Sequence, residues 1–496
     1  MKPVFYFLTV LTVFVFTACS ESFLDTSPTD SYTEDNFWTS EDNVVSAVNG
    51  CYQVLFRHAG YKLYLDNITP NSYNQSGQTQ LATGTHDAGN VDWFHQVWNL
   101  NYEGIGRANN VLAHIDAVTL NESLRDRLRG EALFLRALFY EELVRLYGDV
   151  PLILAAPDRS EQAKLPRDPK SAVVTQILAD LNQAAQLLPP SYTGGNIGRA
   201  TQGAALALKA RVLLYENRWE EAAAAAEAVF PLGYRLFSNY RQLFMEANEN
   251  NPEVIFDIQF SAPNYVHSLN LNLDLQMNIA PLPDLVNSYL MSDGEPASSS
   301  SSYNPQQPYE NRDPRLHQTI VIPGYIFKGI TANEKRYYAT GFGFKKYTTY
   351  EDHTSYPSDV INSPLNIILL RYADVLLMYA EARNEAGGPD NSIYDALDEI
   401  RQRAGMPDVP RELSKEDLRE VIRLERRIEL AGEGLYYNDI RRWRTAETVN
   451  NGPIYNSAGV AIQNRSFNKD RDYLWPVATI SIEQNPNLEQ TPGYTK

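Results

Sequence analysis

The sequence predicts an all-α protein of packed helix pairs, with an inserted loop-rich lobe that contains minor β structure. Three observations lead to this prediction. Residues 130–151 have the pattern of a helix that is apolar almost all round. Residues 201–230 have the pattern of two helices, rich in small side chains, on either side of a short turn. Residues 250–363 have no sustained helical period and are rich in Ser, Tyr and Gly.

The stretch GEALFLRALFYEELVRLYGDVP, residues 130–151, is the central element of the prediction. At 100° per residue its acidic side chains share one narrow arc, and apolar side chains cover most of the rest. Such a helix must be covered on more than one side. Arg136 points away from the acidic arc, and because a buried guanidinium without a partner costs roughly several kcal/mol, we expect a carboxylate or carbonyls beside it. The helix should begin near Asn121 and end at Gly148, before Pro151.

The segment TQGAALALKARVLLYENRWEEAAAAAEAVF, residues 201–230, predicts a tetratricopeptide-like helix–turn–helix. Its alanines let two helices approach closely, Asn217 and Arg218 form the turn, and Trp219 packs after it. A second helix–turn–helix pattern of the same kind, but weaker, occurs at residues 369–406. Helical repeats therefore fall in two blocks, at about 95–230 and 365–447. Further helices are predicted at 33–56, as one helix or a pair of short ones, and at 93–118, 171–188, 415–431 and 435–445.

Two regions lack a helical period. Residues 57–91 are rich in Asn, Gln, Gly, Thr and Tyr, and a polar stretch of this length in a compact protein is usually functional or disordered. Residues 250–363 form the inserted lobe, in which Glu253–Phe260 (EVIFDIQF) has the β-branched and aromatic composition of a strand. Loops carried by a rigid scaffold are where binding residues concentrate.

Charge and motifs argue against two classes of function: nucleic-acid binding, and catalysis by an enzyme with a familiar sequence motif. The chain has 496 residues, with 43 Lys+Arg and 61 Asp+Glu, for a net charge of −18. This balance argues against nucleic acid as a partner, because binding to a phosphate backbone needs a basic surface. The seven histidines are dispersed, and the chain has no HExxH, GxSxG, P-loop or dinucleotide-binding motif. A glycosidase-type carboxylate pair can be hidden in any acidic sequence, so this alternative stays open.

The first 18 residues predict a signal peptide, with Lys2 before an apolar run that is too short to span a bilayer. Thr17 and Ala18 precede Cys19 as in a lipobox, so Cys19 should become the lipidated N-terminus. Residues 19–35 would then be a polar tether. The other cysteine, Cys51, lies in an amphipathic stretch and is predicted to be a small buried hydrophobe.

Several stretches together resemble the SusD/RagB family of outer-membrane nutrient-binding lipoproteins. They are the lipobox followed by FLD, RGEALFLRALFYEELVRLYGDVPL, EVIFDIQF, NRDPRL, LRYADVLLMYAEARN, ERRIELAGEGLYYNDIRRW and YLWPVATISIEQNPNLEQTPGY. Each is moderately specific, and their order along the chain makes the resemblance strong. The resemblance implies a single fold over residues 36–496 with about four tetratricopeptide-like units.

The resemblance also implies a function. Members are non-enzymatic surface lipoproteins that deliver nutrients, usually oligosaccharides and in some cases peptides, to a SusC-like TonB-dependent β-barrel transporter. The helical frame would face the barrel, and the loops would take the ligand. The resemblance implies no cofactor, and the sequence leaves open whether a Ca²⁺ ion is bound.

Ligand residues are chosen by composition, because sugar recognition needs aromatic rings and a few polar groups. The candidates in or beside the first polar loop are Tyr73, Asn74, Gln78 and Trp93, and those in the lobe are Tyr303, Arg312 and Tyr325. For each of them ordinary packing is an alternative, and Arg312 in particular has a structural alternative within the NRDPR turn. Arg426, Arg427, Arg441 and Arg442 are expected to pair with carboxylates inside the helical array.

Overall fold

The computed structural model describes residues 33–75, 79–333, 335–355 and 361–495. The predicted signal peptide, Cys19 and most of the tether lie outside these residues, as does Gln78. The helices are α1 Glu34–Phe37, α2 Glu41–Tyr64, α3 Gln80–Thr83, α4 Trp93–His114, α5 Glu122–Tyr147, α6 Arg159–Gln162, α7 Lys170–Leu187, α8 Gln202–Tyr215, α9 Trp219–Glu227, α10 Pro283–Ser288, α11 Arg315–Thr319, α12 Tyr372–Gly387, α13 Asn391–Ala404, α14 Lys415–Glu429, α15 Tyr436–Arg442, α16 Ala446–Val449 and α17 Thr479–Gln484.

The strands are short and pair in twos, all antiparallel. They are β1 Ser72–Tyr73, β2 Val254–Ile258, β3 Ala280–Pro281, β4 Ile320–Val321, β5 Ile326–Phe327, β6 Ile330–Thr331, β7 Gly343–Phe344, β8 Ile367–Arg371, β9 Gly452–Tyr455 and β10 Ala461–Arg465. The pairs are β1 with β3, β2 with β8, β4 with β7, β5 with β6, and β9 with β10. The prediction of a mostly helical chain with minor β structure is therefore confirmed.

The central helix, α5, is covered by α4 on one side and α7 on another, so that nearly every side chain after Leu128 is buried. It begins after Asn121, whose side chain accepts a hydrogen bond from the Leu124 amide. Arg136 makes a two-point ion pair with Asp180 of α7, with 2.7 Å from Nη2 to Oδ1. Its Nη1 donates to Asn109 of α4 at 2.9 Å. The expected carboxylate partner is present, and it ties three helices together.

The tetratricopeptide-like pair is α8 and α9, as predicted. Asn217 takes the left-handed conformation that closes the turn, with φ of 56°, and Trp219 starts the second helix. The buried alanines of α9 pack against α12, so that the first helical block continues directly into the second. There, α12 packs on α13 and α14. Cys51 is fully buried in α2, and burial raises the pKa of its thiol to about 12.

Two of the departures from the predicted boundaries are set by contacts between distant residues. Helix α2 continues to Tyr64, eight residues past the predicted end at 56, because its last turns pack on α5. There the Tyr61 hydroxyl donates to the Glu142 carboxylate, and His58 lies 2.8 Å from the same group. The second difference is β8, which occupies residues at the start of the second predicted helical block. Its run of Ile and Leu pairs with β2, and the predicted strand at Glu253–Phe260 is thereby confirmed at Val254–Ile258.

Within the described ranges, no helix is both long and apolar enough to cross a membrane.

The close approach of α4 and α5 gives a matched pair of glycine tests. A Cβ on Gly104 would overlap the Phe139 ring of α5, whereas a Cβ on Gly106 would meet only Pro157, at 3.6 Å. We predict that Gly104→Ala lowers the free energy of unfolding by about 1–3 kcal/mol through overpacking. Gly106→Ala should leave it unchanged or raise it by up to about 1 kcal/mol, since alanine favours the helix. Urea denaturation, followed by circular dichroism, measures the free energy of unfolding of both variants. Equal changes in the two variants would contradict the close contact between Gly104 and the Phe139 ring.

Candidate functional site

Three segments that are far apart in sequence converge on one surface. Strand β1 of the first polar loop pairs with β3 of the lobe, with Tyr73 opposite Ala280. The tip of the β9–β10 hairpin reaches the lobe, where the Ser457 amide donates to the Thr340 carbonyl at 2.8 Å. We call this surface the loop face, and define it as the described residues of 65–90, 270–281, 320–345 and 452–467.

Arg465 of β10 holds the first polar loop in place. Its guanidinium is buried and donates to the carbonyls of Ser72 at 2.7 Å, Asn67 at 3.0 Å, and Thr69. Burial lowers the pKa of Arg465 to about 10. Five donors in a rigid plane let one arginine bind several carbonyls, so Arg465 fixes the backbone conformation on which Tyr73 is carried.

Amide side chains line the junction between the first loop and the lobe. Asn67 Nδ2 donates to the Asn278 carbonyl at 2.8 Å, and Gln75 Nε2 donates to the Gln276 carbonyl at 3.0 Å. Asn278 Nδ2 in turn donates to Gln276 Oε1 at 2.9 Å. Gln276 is exposed. Such amides present both donors and acceptors, which is the chemistry that hydroxyl groups need.

The candidates from the first loop lie along this junction. Tyr73 is partly exposed, Asn74 is buried, and Gln78 lies outside the described residues. Trp93 is partly exposed and packs edge-on against Tyr64, with ring centroids 6.1 Å apart. The Tyr64 hydroxyl lies in hydrogen-bond contact with Asn278, so the aromatic rings and the amides are adjacent.

The candidates from the lobe form a separate group. The Tyr325 hydroxyl donates to Glu310 at 2.5 Å, and its ring lies 4.5 Å from that of His317. Burial, and then the Glu310 carboxylate, raise the pKa of Tyr325. Tyr303 is partly buried. Arg312 is 5% exposed and donates to the carbonyls of residues 286, 289 and 308. These bonds to the backbone indicate that Arg312 stabilises the turn, which is the alternative to ligand binding considered for this residue.

Comparisons of sequence identify the family. The pattern of the SusD family (SusD/RagB) matches residues 238–494. A second pattern, described as starch-binding and associating with the outer membrane, matches residues 21–214. The chain belongs to the SusD/RagB family.

Solved structures of SusD-like proteins share this fold. A SusD-like protein of Bacteroides fragilis is 31% identical over 95% of this chain and 100% of its own, with a TM-score of 0.82. A SusD-like carbohydrate-binding protein of the same species is 27% identical over 91% of this chain and 100% of its own, with a TM-score of 0.84. A laminarin-binding SusD-like protein is 25% identical over 92% of this chain and 100% of its own, with a TM-score of 0.73.

The loop face of this SusD/RagB protein also exposes aromatic rings that the sequence did not single out. Tyr338 is 66% exposed and Tyr455 is 46% exposed. They lie two residues before Thr340 and Ser457, whose backbones are hydrogen-bonded to each other. The Tyr-rich composition of the lobe drew attention to this region, but composition cannot tell an exposed ring from a buried one such as Tyr337.

Buried charges connect the lobe to the helical frame. Arg371, at the end of β8, donates at 2.7 Å to each of Glu253, Glu429 and Glu433. Arg403 of α13 lies 2.5 Å from Glu429 and 3.2 Å from Glu253. We call these five residues the ionic hub; all have side chains at most 4% exposed.

Two cations of the lobe join the ionic hub. Arg315 of α11 reaches Glu429 at 2.9 Å, and Lys346 Nζ reaches Glu433 at 2.9 Å. Burial by itself would raise the pKa of Glu429, but the guanidinium groups of Arg403, Arg371 and Arg315 hold it well below its usual value. Burial lowers the pKa of Lys346 to about 8. The lobe therefore contributes cations to carboxylates of the frame.

In the part of the chain that the structure describes, no group of three or more His, Cys, Asp and Glu side chains is arranged to hold a metal ion.

The ionic hub gives a stability prediction. We expect Arg371→Met to lower the free energy of unfolding by about 3–5 kcal/mol, because it leaves three buried carboxylates without their shared cation. The matched control is Arg383→Met, which breaks an exposed pair with Asp390 and should cost less than about 1 kcal/mol. Urea unfolding at pH 7 compares them. Equal costs for the two variants would show that the ionic hub does not stabilise the fold.

Proposed function

We propose that this protein binds oligosaccharides at its loop face and does not transform them. The family supports this proposal, since two of its solved relatives are named for binding carbohydrate, one of them laminarin. The observation that carries it in this chain is the combination of exposed tyrosines and amides on one surface. Tyr338 and Tyr455 offer open rings, and Gln276 offers an exposed amide.

The mode of binding follows from these groups. The apolar face of a sugar ring packs on an aromatic ring, and amide groups exchange hydrogen bonds with hydroxyls. An open surface of this kind can accept a segment within a longer chain, because it does not enclose the ligand. Recognition of this type needs no nucleophile and no proton transfer.

The proposal extends to anchoring and transport. Lipid on Cys19 would hold the chain on the outer membrane at the cell surface, and residues 19–35 would be the tether. The captured sugar would pass to a SusC-like TonB-dependent β-barrel transporter. Support comes from the family pattern over residues 21–214, which is described as associating with the outer membrane.

Glycan binding is tested first with an array of neutral glycans and then by calorimetry with the best ligand. We predict that Tyr338→Ala weakens binding about threefold to tenfold, because an aromatic contact contributes about 0.5–1.5 kcal/mol. The matched control is Tyr265→Ala, which removes a ring that is 48% exposed but lies outside the loop face. Its affinity should equal that of the wild type.

Three outcomes would contradict the proposal. Release of shorter sugars by the purified protein would identify an enzyme on a helical scaffold. Binding to a peptide array but to no glycan would identify a peptide-binding member of the same kind of uptake system. Loss of glycan affinity in Tyr265→Ala but not in Tyr338→Ala would place the sugar outside the loop face.

The lipid anchor and the association with a β-barrel transporter are tested together in cells. We predict that Cys19→Ala moves the protein from the outer-membrane fraction to the soluble fraction, because lipid on this residue is the proposed anchor. The wild-type protein, extracted in mild detergent, should co-purify with a large β-barrel protein. Membrane retention of Cys19→Ala without a co-purified barrel would reject this part of the proposal.

A further inference from the structure

A cleft that is separate from the loop face lies in the helical frame. It is a cleft of about 440 Å³ between α5, α7, α8 and α15, closed by residues 473 and 474. It lies outside the loop face. Its volume is within the range of about 300–1,000 Å³ that is usual for small-ligand pockets.

Five basic side chains line this cleft, and three of them are neutralised by neighbouring carboxylates. Arg145 lies 2.9 Å from Glu141. Arg442 lies 2.5 Å from Glu381, and Lys170 lies 2.5 Å from Glu216. The remaining two, Arg441 and Arg444, form no ion pair with a carboxylate of the described residues.

Arg441 is a partly buried cation that lacks the expected carboxylate partner. Its Nη2 donates to the Asp472 carbonyl at 3.2 Å, and its guanidinium lies 3.5 Å from the centroid of the Tyr437 ring. Nε and Nη1 are buried and have no acceptor among the described residues. The Asp472 carboxylate is already occupied by His86 and Arg471. The prediction that Arg441 pairs with a carboxylate, as Arg426 and Arg442 do, is therefore wrong.

Arg444 is exposed at the mouth of the same cleft. It follows α15 in the left-handed conformation, with φ of 57°, and its guanidinium lies 4.0 Å from the centroid of the Tyr473 ring. Within the described residues it forms no ion pair. Arg441 and Arg444 thus leave positive charge without a counterion in a chain of net charge −18.

The other lining groups match a sugar more closely than a bare ion. Tyr473 and Tyr215 contribute rings, and the buried Tyr215 hydroxyl has no partner among the described residues. Asn217 and Asn438 contribute amides. A guanidinium binds a carboxylate strongly, rings cover an apolar sugar face, and amides bind hydroxyls.

We propose that this cleft binds a carboxylated sugar of the uronic acid class. Its carboxylate would pair with Arg441 and Arg444, and its ring would lie beside Tyr215 and Tyr473. The site is separate from the loop face, so the protein would have one surface for glycan chains and one cleft for an acidic sugar unit.

Calorimetry on the full chain in detergent tests this proposal with three probes: D-glucuronate, D-glucose and acetate. Glucuronate should bind at least about tenfold more tightly than glucose or acetate. Arg444→Gln and Arg441→Gln should each weaken glucuronate binding at least about tenfold. The control Arg383→Gln, which alters an exposed arginine on α12, should leave it unchanged.

The variant Arg444→Gln keeps the test decisive if Arg441→Gln unfolds, because Arg444 is exposed. Equal affinity for glucuronate and glucose would overturn the proposal, as would full glucuronate affinity in Arg444→Gln. Acetate binding as tightly as glucuronate would show an anion site that does not recognise a sugar, and would also overturn it. None of these results depends on whether the loop face binds neutral glycans.

Discussion

The pairing of Arg371 with three buried carboxylates is the interaction on which the rest of the structure depends. One guanidinium joins Glu253 before β2, Glu429 at the end of α14, and Glu433 beyond it. A buried charge destabilises a fold unless it is paired with an opposite charge and its hydrogen bonds are satisfied, so a set of buried charges needs all of its partners. Here they are complete because both parts of the chain contribute: Glu429 and Glu433 come from the frame, whereas Glu253 and the cation of Arg315 come from the lobe. The helical frame and the lobe therefore stabilise each other.

The loop face follows from this arrangement. The ionic hub fixes β8 against β2, and so the lobe is held on the frame. The lobe presents β3 to β1 of the first polar loop, and Arg465 ties that loop to the β9–β10 hairpin. Each segment is too short to be stable alone. Together they form one surface that carries the exposed rings on loops that a helical scaffold holds in place.

The sequence predicted features that depend on periodicity and on local signals. Helix α5, its cap at Asn121 and the need for a partner at Arg136 were all predicted, because they follow from apolar pattern, capping chemistry and the cost of a buried charge. The end of α2 and the strand β8 were not, since both depend on contacts with distant residues. The same reason applies to the candidate site. Composition located the polar loop and the lobe, but it could not show that Arg312 is buried or that Tyr338 is exposed. It also could not separate Arg441 from its paired neighbours.

We infer that the ionic hub holds the lobe, and with it the loop face, on the helical frame. Hydrogen–deuterium exchange of Glu429→Gln against the wild type tests it most directly, since this change removes the carboxylate shared by three arginines. We expect faster exchange in β2, β8 and the described residues of 320–345, with the central turns of α5 still protected. Faster exchange of α5 and the lobe to the same extent would contradict it, and so would unchanged exchange in β2 and β8.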